Sequence, residues 1–327
     1  MGFGNYSHEA HEAITRARAE LPRQEVFKQR SCHPLMDPKG VHLRESRDSA
    51  EHPNSLSIAF ALDVTGSMGD IPDLLARREL PKFMQLLLDC GVADPQLLFV
   101  AVGDAASGDR APLQVGQFES TAELMDRWLT WSYLEGGGGS FGHESYELAL
   151  YFLAEHTEID CWVKRRKRGY MFMTGDEKPY PAVSKHQVDT LIGERLDDDI
   201  PVAAAVAALQ ETYEPFFLIP DARRREHCER TWRDLLGDHV LCLERPADTC
   251  YAAAGAIALG EKLVADLDAL AALLGRAGAP REQVGSVVRA LTPFAASLGR
   301  DGAPSPRLDP ARPGADGPSR WKRLGGG

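Results

Sequence analysis

The feature that most constrains the fold is a short apolar run that ends in a carboxylate and two hydroxyls. Residues 57–68 read Ser-Ile-Ala-Phe-Ala-Leu-Asp-Val-Thr-Gly-Ser-Met, so Asp63, Thr65 and Ser67 follow directly on a continuous apolar stretch. Such a stretch is typical of a strand that is buried on both faces. Three hard oxygen ligands in one short loop suit a small divalent cation such as Mg2+. The run therefore predicts a buried strand with a cation site at its end.

The rest of the central region alternates between strand and helix patterns. The pattern predicts a doubly wound, mostly parallel, Rossmann-like α/β sheet with helices on both faces. In such sheets ligands bind at the carboxyl ends of the strands, where the Asp63 loop is expected. Strands are predicted at 57–62, 96–102, 112–118 (at an edge), 170–174, 216–219 and 240–243. Helices are predicted at 74–90 (kinked at Pro81), 123–131, 145–155, 184–196, 201–212 and 226–236.

The chain of 327 residues, 43% of them hydrophobic, is long enough for a large core with additional segments. Residues 1–54 are polar and predict an arm with a short helix at 8–20, which stops at Leu21-Pro22. The α/β domain is assigned to 55–275 and includes one long helix at 248–274. Residues 276–298 are predicted as a helical extension, and 299–327 as a flexible tail rich in Pro and Gly.

The spacing Asp63-x-Thr65-x-Ser67 resembles the metal-ion-dependent adhesion site of von Willebrand factor A (vWA) domains. The resemblance covers roughly residues 55–275 and implies a site built from three loops. Asp63 would bind the ion directly or through water, and Thr65 and Ser67 would bind through their hydroxyls. Gly66 lets the chain turn tightly between the two hydroxyl residues.

The same resemblance implies two further ligands from later loops. A Thr or Ser is expected in the glycine-rich loop before the helix at 145–155, where Ser140 is the best match and Glu144 and Ser145 are alternatives. An acid is expected after the strand at 170–174. The family usually has Thr-Asp-Gly there, whereas this chain has Thr-Gly-Asp, so Asp176 is displaced by one position and Glu177 is an alternative. The expected metal set is Asp63, Thr65, Ser67, Ser140 and Asp176.

Three acids near these loops have less specific expectations. The positive end of the helix that follows the Asp63 loop disfavours a cation. Asp70 or Asp73 could offset that effect, or could simply cap the helix. Asp104 follows the second strand and is expected either to support the site or to be a solvated carboxylate of a turn.

The resemblance implies a Mg2+ (or Mn2+) binding protein that recruits a partner, rather than an enzyme. A Glu or Asp of the partner would complete the metal shell. Intracellular vWA proteins often act beside AAA+ ATPases of the MoxR or chelatase type, or in multi-component bacterial systems. The alternative is a metal-dependent phosphoryl-transfer hydrolase that uses the same pocket. A haloacid-dehalogenase reading is disfavoured because Thr65 stands where such enzymes have a second Asp as general acid.

Composition narrows the partners and the compartment. The net charge of −11 disfavours nucleic acid and anionic membranes as partners. Six scattered cysteines without a CxxC pair, and no visible secretory signal, predict a cytoplasmic protein with free thiols. Charges within 252–274 predict a soluble helix and no membrane span. The basic run 164–168 is expected to be a solvated loop or a contact for an acidic partner, and Arg223–Arg225 the solvated start of a helix.

Overall fold

The computed structural model describes residues 4–66, 68, 70–137 and 142–299. Its centre is a six-stranded sheet of β1 (Ser55–Asp63), β2 (Asp94–Val102), β3 (Leu113–Val115), β4 (Gly169–Thr174), β5 (Tyr213–Ile219) and β6 (Val240–Cys242). The spatial order is β3-β2-β1-β4-β5-β6, with every neighbouring pair parallel except the antiparallel edge strand β3. The predicted α/β fold with a mostly parallel central sheet is confirmed.

Strand β1 shows why the sheet is covered on both sides. All nine of its residues are buried, and successive side chains point to opposite faces. Ile58 and Phe60 belong to one apolar core, whereas Ala59 and Ala61 belong to the other. The small alanine side chains lie on the face where the helix Tyr146–Glu155 packs, which is buried at every residue except Glu155.

The longer helices are distributed over these two cores, and shorter segments connect them. The longer helices are α1 (His8–Ala17), α2 (Leu80–Cys90), α3 (Ala122–Thr130), α4 (Tyr146–Glu155), α5 (Val202–Gln210), α6 (Arg225–Leu236), α7 (Thr249–Gly260), α8 (Leu267–Arg276) and α9 (Arg281–Leu298). The shorter helical segments are Arg23–Val26, Asp70–Leu74, Leu75–Glu79 (π), Asp160–Arg165, Lys185–Gln187, Val188–Ile192 (π), Ala222–Arg224, Gly237–His239 and Pro246–Asp248. The short strand pairs are Arg44–Ser46 with Thr157–Ile159, His143–Glu144 with Lys178–Pro179, and Ala182–Val183 with Ile200–Pro201.

Two predicted helices have different bounds in the structure. The single helix expected over 248–274 is two helices, because α7 ends at Gly260 and Lys262 takes a left-handed φ of 57° before α8 begins. The helix expected at 184–196 ends at Ile192, because Gly193 has a φ of 86° and caps it. Pro81 is the second residue of α2, where a missing amide hydrogen is tolerated, and α2 directly follows the π turn Leu75–Glu79.

The segments before and after the sheet contribute to the same core as the helices of one face. Val26, Phe27 and Met36 are buried there, as are Leu270 and Leu274 of α8 and Val287, Leu291 and Phe294 of α9. Helices α8 and α9 pack against α7, which explains why α7 is buried around its whole circumference. No helix in the described ranges has both the length and the apolar character that a membrane crossing needs. The six cysteines are free thiols.

Candidate functional site

Asp63 is the last residue of β1, and its carboxylate is completely buried. Its Oδ1 accepts hydrogen bonds from the Thr65 backbone amide at 2.9 Å and from the Thr65 hydroxyl at 2.5 Å. Its Oδ2 accepts a hydrogen bond from the hydroxyl of Tyr146 at 2.6 Å. The Asp-x-Thr spacing thus folds into a compact turn in which the hydroxyl of Thr65 lies against the carboxylate.

Tyr146 reaches Asp63 because the chain has a glycine at position 175. A Cβ atom on Gly175 would lie 2.3 Å from the Tyr146 hydroxyl oxygen, so a side chain at position 175 would force Tyr146 to move. Tyr146 is the first residue of α4, and its ring also packs against Phe217 and Trp232. The glycine in the Thr-Gly-Asp sequence at the end of β4 therefore leaves room for the side chain of Tyr146.

The Asp63 loop is in direct contact with the glycine-rich loop. The Gly66 amide donates a hydrogen bond to the Gly137 carbonyl, and the Glu135 amide donates one to the Val64 carbonyl at 3.1 Å. A Cβ atom on Gly66 would lie 2.9 Å from the Gly137 oxygen. Position 66 therefore needs glycine for close backbone approach, in addition to the tight turn that the sequence indicates.

Asp176 lies just beyond the end of β4, the strand that pairs directly with β1. Its side chain is 0% exposed and forms an ion pair with Arg224, whose Nη1 lies 3.1 Å from Asp176 Oδ2. Thr174, the last residue of β4, has a buried hydroxyl with no hydrogen-bond partner among the described residues. The ends of two neighbouring strands thus bring two buried carboxylates and two hydroxyls to one region.

Asp63 and Asp176 are both buried, and burial alters the pKa of the groups at this end of the sheet. Burial raises the pKa of Asp63 to about 7, hydrogen bonds from Thr65 and Tyr146 oppose that rise, and the negative charge of Asp176 adds to it. Burial, reinforced by the charge of Asp63, also raises the pKa of the Tyr146 hydroxyl, so that hydroxyl remains a hydrogen-bond donor.

The alternatives for the second and third loops have other partners in the structure. Ser67 and Ser140, which the prediction includes, lie outside the described residues. The Ser145 hydroxyl accepts a hydrogen bond from the Ala105 amide at 3.0 Å. Glu144 is buried in the short strand that pairs with Lys178–Pro179, and Glu177 forms an ion pair with His227 at 2.5 Å.

Three acids that the sequence links loosely to the site are engaged elsewhere. Asp104 is buried, so the expectation of a solvated carboxylate is wrong. It accepts hydrogen bonds from the Ala106 amide in its own loop and from the Tyr180 hydroxyl, 76 positions away in the chain. Asp73 pairs with Arg77 at 2.8 Å, and Asp70 pairs with Arg23 of the N-terminal segment. The carboxylates of Asp70 and Asp73 are therefore paired with arginines.

Four residues of the basic run 164–168 form ion pairs with acidic side chains elsewhere in the chain. Lys164 pairs with Asp160 at 2.6 Å, Arg165 pairs with Asp48 at 2.6 Å, and Arg168 pairs with Glu214 at 2.6 Å. Lys167 pairs with Glu261. Lys164 and Lys167 are exposed, as expected of a solvated segment, whereas Arg165 and Arg168 are only partly exposed. Together these ion pairs join the run to the N-terminal segment, the sheet and the end of α7.

The arginine run after β5 lies at the start of α6, as predicted, and Arg223 and Arg224 are exposed. Arg223 is exposed and pairs with Asp221, as expected of a surface residue. The prediction did not include two specific contacts: Arg224 reaches Asp176, and Arg225 donates to the Cys242 carbonyl at 2.9 Å. Tyr146, Gly175 and Arg224 are the contacts of the site that sequence reasoning did not find. Only the exchanged Gly175-Asp176 order gave a signal, because it departs from the family pattern.

No set of three or more His, Cys, Asp or Glu side chains in the described ranges is arranged to hold a metal ion. The predicted set differs in kind, since it combines two carboxylates with three hydroxyls. Two of those hydroxyls, from Ser67 and Ser140, lie outside the described residues.

Comparison with known proteins gives likenesses of structure alone. Neither family models nor curated proteins match the chain by sequence. Among solved structures, the pilus adhesin SpaC from Lactobacillus rhamnosus GG in its open conformation is similar at a TM-score of 0.42 and 10% identity, over 70% of this chain and 31% of that one. Proximal thread matrix protein 1 from the mussel byssus is similar at a TM-score of 0.38 and 12% identity, over 60% of this chain and 45% of that one. The chain thus spans less than half the length of either structure, and likenesses of this degree support no argument about function.

Proposed function

We propose that this protein is a vWA-like domain that binds Mg2+ (or Mn2+) at the end of the central sheet and uses the ion to capture a partner. The proposed ligands are Asp63, Thr65, Ser67, Ser140 and Asp176. Asp63, Thr65 and Asp176 are supported by their position in the fold, whereas Ser67 and Ser140 rest on the resemblance of sequence. When bound, the ion would supply a Lewis-acidic centre for a carboxylate of the partner.

The observation that carries the proposal is the position of Asp63 and Asp176 at the ends of adjacent parallel strands. The strand order β3-β2-β1-β4-β5-β6 reverses direction between β1 and β4. In open α/β sheets of this order, ligands bind at the carboxyl ends of the strands at that reversal. Both buried carboxylates lie at this point, which supports a Rossmann-like vWA assignment as well as a site there.

The donor chemistry is consistent with a hard cation. Carboxylates and hydroxyls are the ligand types that Mg2+ takes, and a buried hydroxyl of Thr174 is available beside them. Two acids in a desolvated place repel each other, which accounts for part of the raised pKa of Asp63. A divalent cation would remove that repulsion, so binding is expected to stabilise the folded protein.

The proposed partner presents an acidic residue. Two carboxylates and three hydroxyls would leave about one ligand position of a six-coordinate ion open, and a Glu or Asp side chain would be a suitable ligand there. The partner class that the resemblance points to is an AAA+ ATPase of the MoxR or chelatase type, or another component of a bacterial multi-protein system. Capture of such a partner would require the metal and would be abolished by EDTA.

Thermal unfolding with and without Mg2+ tests the proposal. The melting temperature, Tm, is measured for the wild type, Asp63→Asn and Asp94→Asn, each in EDTA and in excess Mg2+. Asp94 is a matched control because it is a buried aspartate at the opposite end of the sheet, paired in register with Ser55. We expect Mg2+ to raise the Tm of the wild type and of Asp94→Asn but not that of Asp63→Asn. A Tm of the wild type that is the same in EDTA and in Mg2+ would refute the proposal.

A further inference from the structure

The side chain of Arg224 places a positive charge at the proposed metal site. It ends the short helical turn Ala222–Arg224 that follows β5, and its Nη1 lies 3.1 Å from Asp176 Oδ2. The Asp176 side chain is 0% exposed, whereas that of Arg224 is 46% exposed. The guanidinium therefore reaches in from the surface to a carboxylate that is out of contact with solvent.

This ion pair provides the charge that a divalent cation would otherwise provide. A carboxylate buried without a positive partner is costly, so Asp176 favours whichever cation is nearest. An oxygen that pairs with a guanidinium is less available as a metal ligand, and two cations at one carboxylate repel each other. We propose that Arg224 competes with the divalent cation for Asp176, so that metal binding displaces its guanidinium from the site. This inference rests on the proposed function and adds to it the residue that sets metal affinity.

The neighbouring arginines make the assignment specific to position 224. Arg223 forms a pair with Asp221 and has an 88% exposed side chain. Arg225 donates to the carbonyl of Cys242, the last residue of β6. Because Arg224 is half exposed and lies in a surface turn, its side chain can leave Asp176 without disturbing the apolar core.

Calorimetric titration of Mg2+ into four proteins tests the competition. The proteins are the wild type, Arg224→Gln, Arg224→Lys and Arg223→Gln, the last being a matched loss of one positive charge at the adjacent residue. We expect Arg224→Gln to bind Mg2+ about fivefold more tightly or better, the low end of typical coupling between sites. Arg224→Lys retains the charge and should stay close to the wild type, and Arg223→Gln should be unchanged.

Thermal unfolding of the same proteins gives a readout that does not depend on the titration. In EDTA, Arg224→Gln should have a lower Tm than the wild type, because Asp176 loses its ion pair with Arg224. In excess Mg2+ this difference should disappear. Equal Mg2+ affinity in the wild type and Arg224→Gln, or an equal gain in Arg223→Gln, would overturn the inference while leaving the proposed function intact. Absence of Mg2+ binding in both the wild type and Arg224→Gln would overturn the inference and the proposed function together.

Discussion

The hydroxyl of Tyr146 donates a 2.6 Å hydrogen bond to Oδ2 of Asp63, linking the first turn of α4 to the end of β1. The two residues are 83 positions apart in the chain and both are completely buried. This contact connects the packing of one face of the sheet with the charge at its carboxyl end. The hydrogen bonding and the pKa of Asp63 therefore depend on a residue outside its own loop.

Tyr146→Phe should destabilise the metal-free protein, because Oδ2 of Asp63 would remain buried without that donor. We expect a loss of about 1–3 kcal/mol in the free energy of unfolding, measured by urea denaturation in EDTA. Tyr151→Phe is the matched control on the same helix, since the Tyr151 hydroxyl donates at 2.6 Å to Glu194, which is partly exposed to water. A loss for Tyr146→Phe no larger than that for Tyr151→Phe would contradict this role of the hydroxyl.

Gly175→Ala should be poorly tolerated, because the new methyl group would overlap the Tyr146 ring and hydroxyl. Overpacking of this kind typically costs about 1–3 kcal/mol. The control is Gly275→Ala in α8, where no atom lies within 4 Å of the added Cβ and alanine favours the helix. Chemical denaturation should therefore show opposite signs for the two substitutions. Equal effects would mean that the loop after β4 has room for a side chain.

His11 in α1 should make stability dependent on pH. Its side chain is buried with Nδ1 3.0 Å from the Tyr6 hydroxyl, and burial, aided by the charges of Arg18 and His8, lowers its pKa from 6.5 to about 3. Between these values the unfolded chain binds a proton that the folded protein does not. The folded protein therefore has its full stability, as far as His11 is concerned, above pH 6.5, and it loses stability as pH falls from 6.5 towards 3.

At about pH 5 this group alone should lower the free energy of unfolding by about 2 kcal/mol relative to neutral pH. Urea denaturation at both pH values should show that His11→Gln loses this component, whereas His8→Gln at a partly exposed position of the same helix retains it. The account of His11 would be wrong if His11→Gln and the wild type lost the same stability on acidification.

Arg165→Gln should be more destabilising than Arg166→Gln, although the two changes remove the same charge. Arg165 donates to Asp48 and to the Ser55 carbonyl, both at 2.6 Å, and so fixes the N-terminal segment to the start of β1. Arg166 is exposed and lies 5.4 Å from the centre of the Trp162 ring. We expect thermal or urea unfolding to show a loss of about 1–3 kcal/mol for Arg165→Gln and less than about 0.5 kcal/mol for Arg166→Gln. Similar small losses would favour a partner-binding role for the basic run.

The sequence was sufficient for most of the sheet because the central strands contain continuous apolar runs, as at 97–102 and 170–173. It was insufficient for the break between α7 and α8, which depends on Lys262 adopting a left-handed conformation that few non-glycine residues adopt. Gly193, by contrast, was a readable stop signal for the helix that ends at Ile192.

The candidate site also combines residues that could be assigned from the sequence with contacts that could not. Asp63 and Asp176 could be assigned to the strand ends from local pattern, and the structure has them at the ends of β1 and β4. The contacts of Tyr146 and Arg224 could not be found, because they join residues far apart in the chain through the packing of helices on the sheet. The metal role of these residues, including Ser67 and Ser140, stays a prediction.

The most direct test of the central claim is an isothermal titration of Mg2+ into the wild-type protein and Asp63→Asn. Asn retains an oxygen that can accept the hydrogen bonds from Thr65, but it removes the charge that the ion would bind. We predict saturable binding of one Mg2+ to the wild type and loss of that binding in Asp63→Asn. Equal affinities for the two proteins, or no binding by the wild type, would contradict the assignment of a cation site at the end of β1.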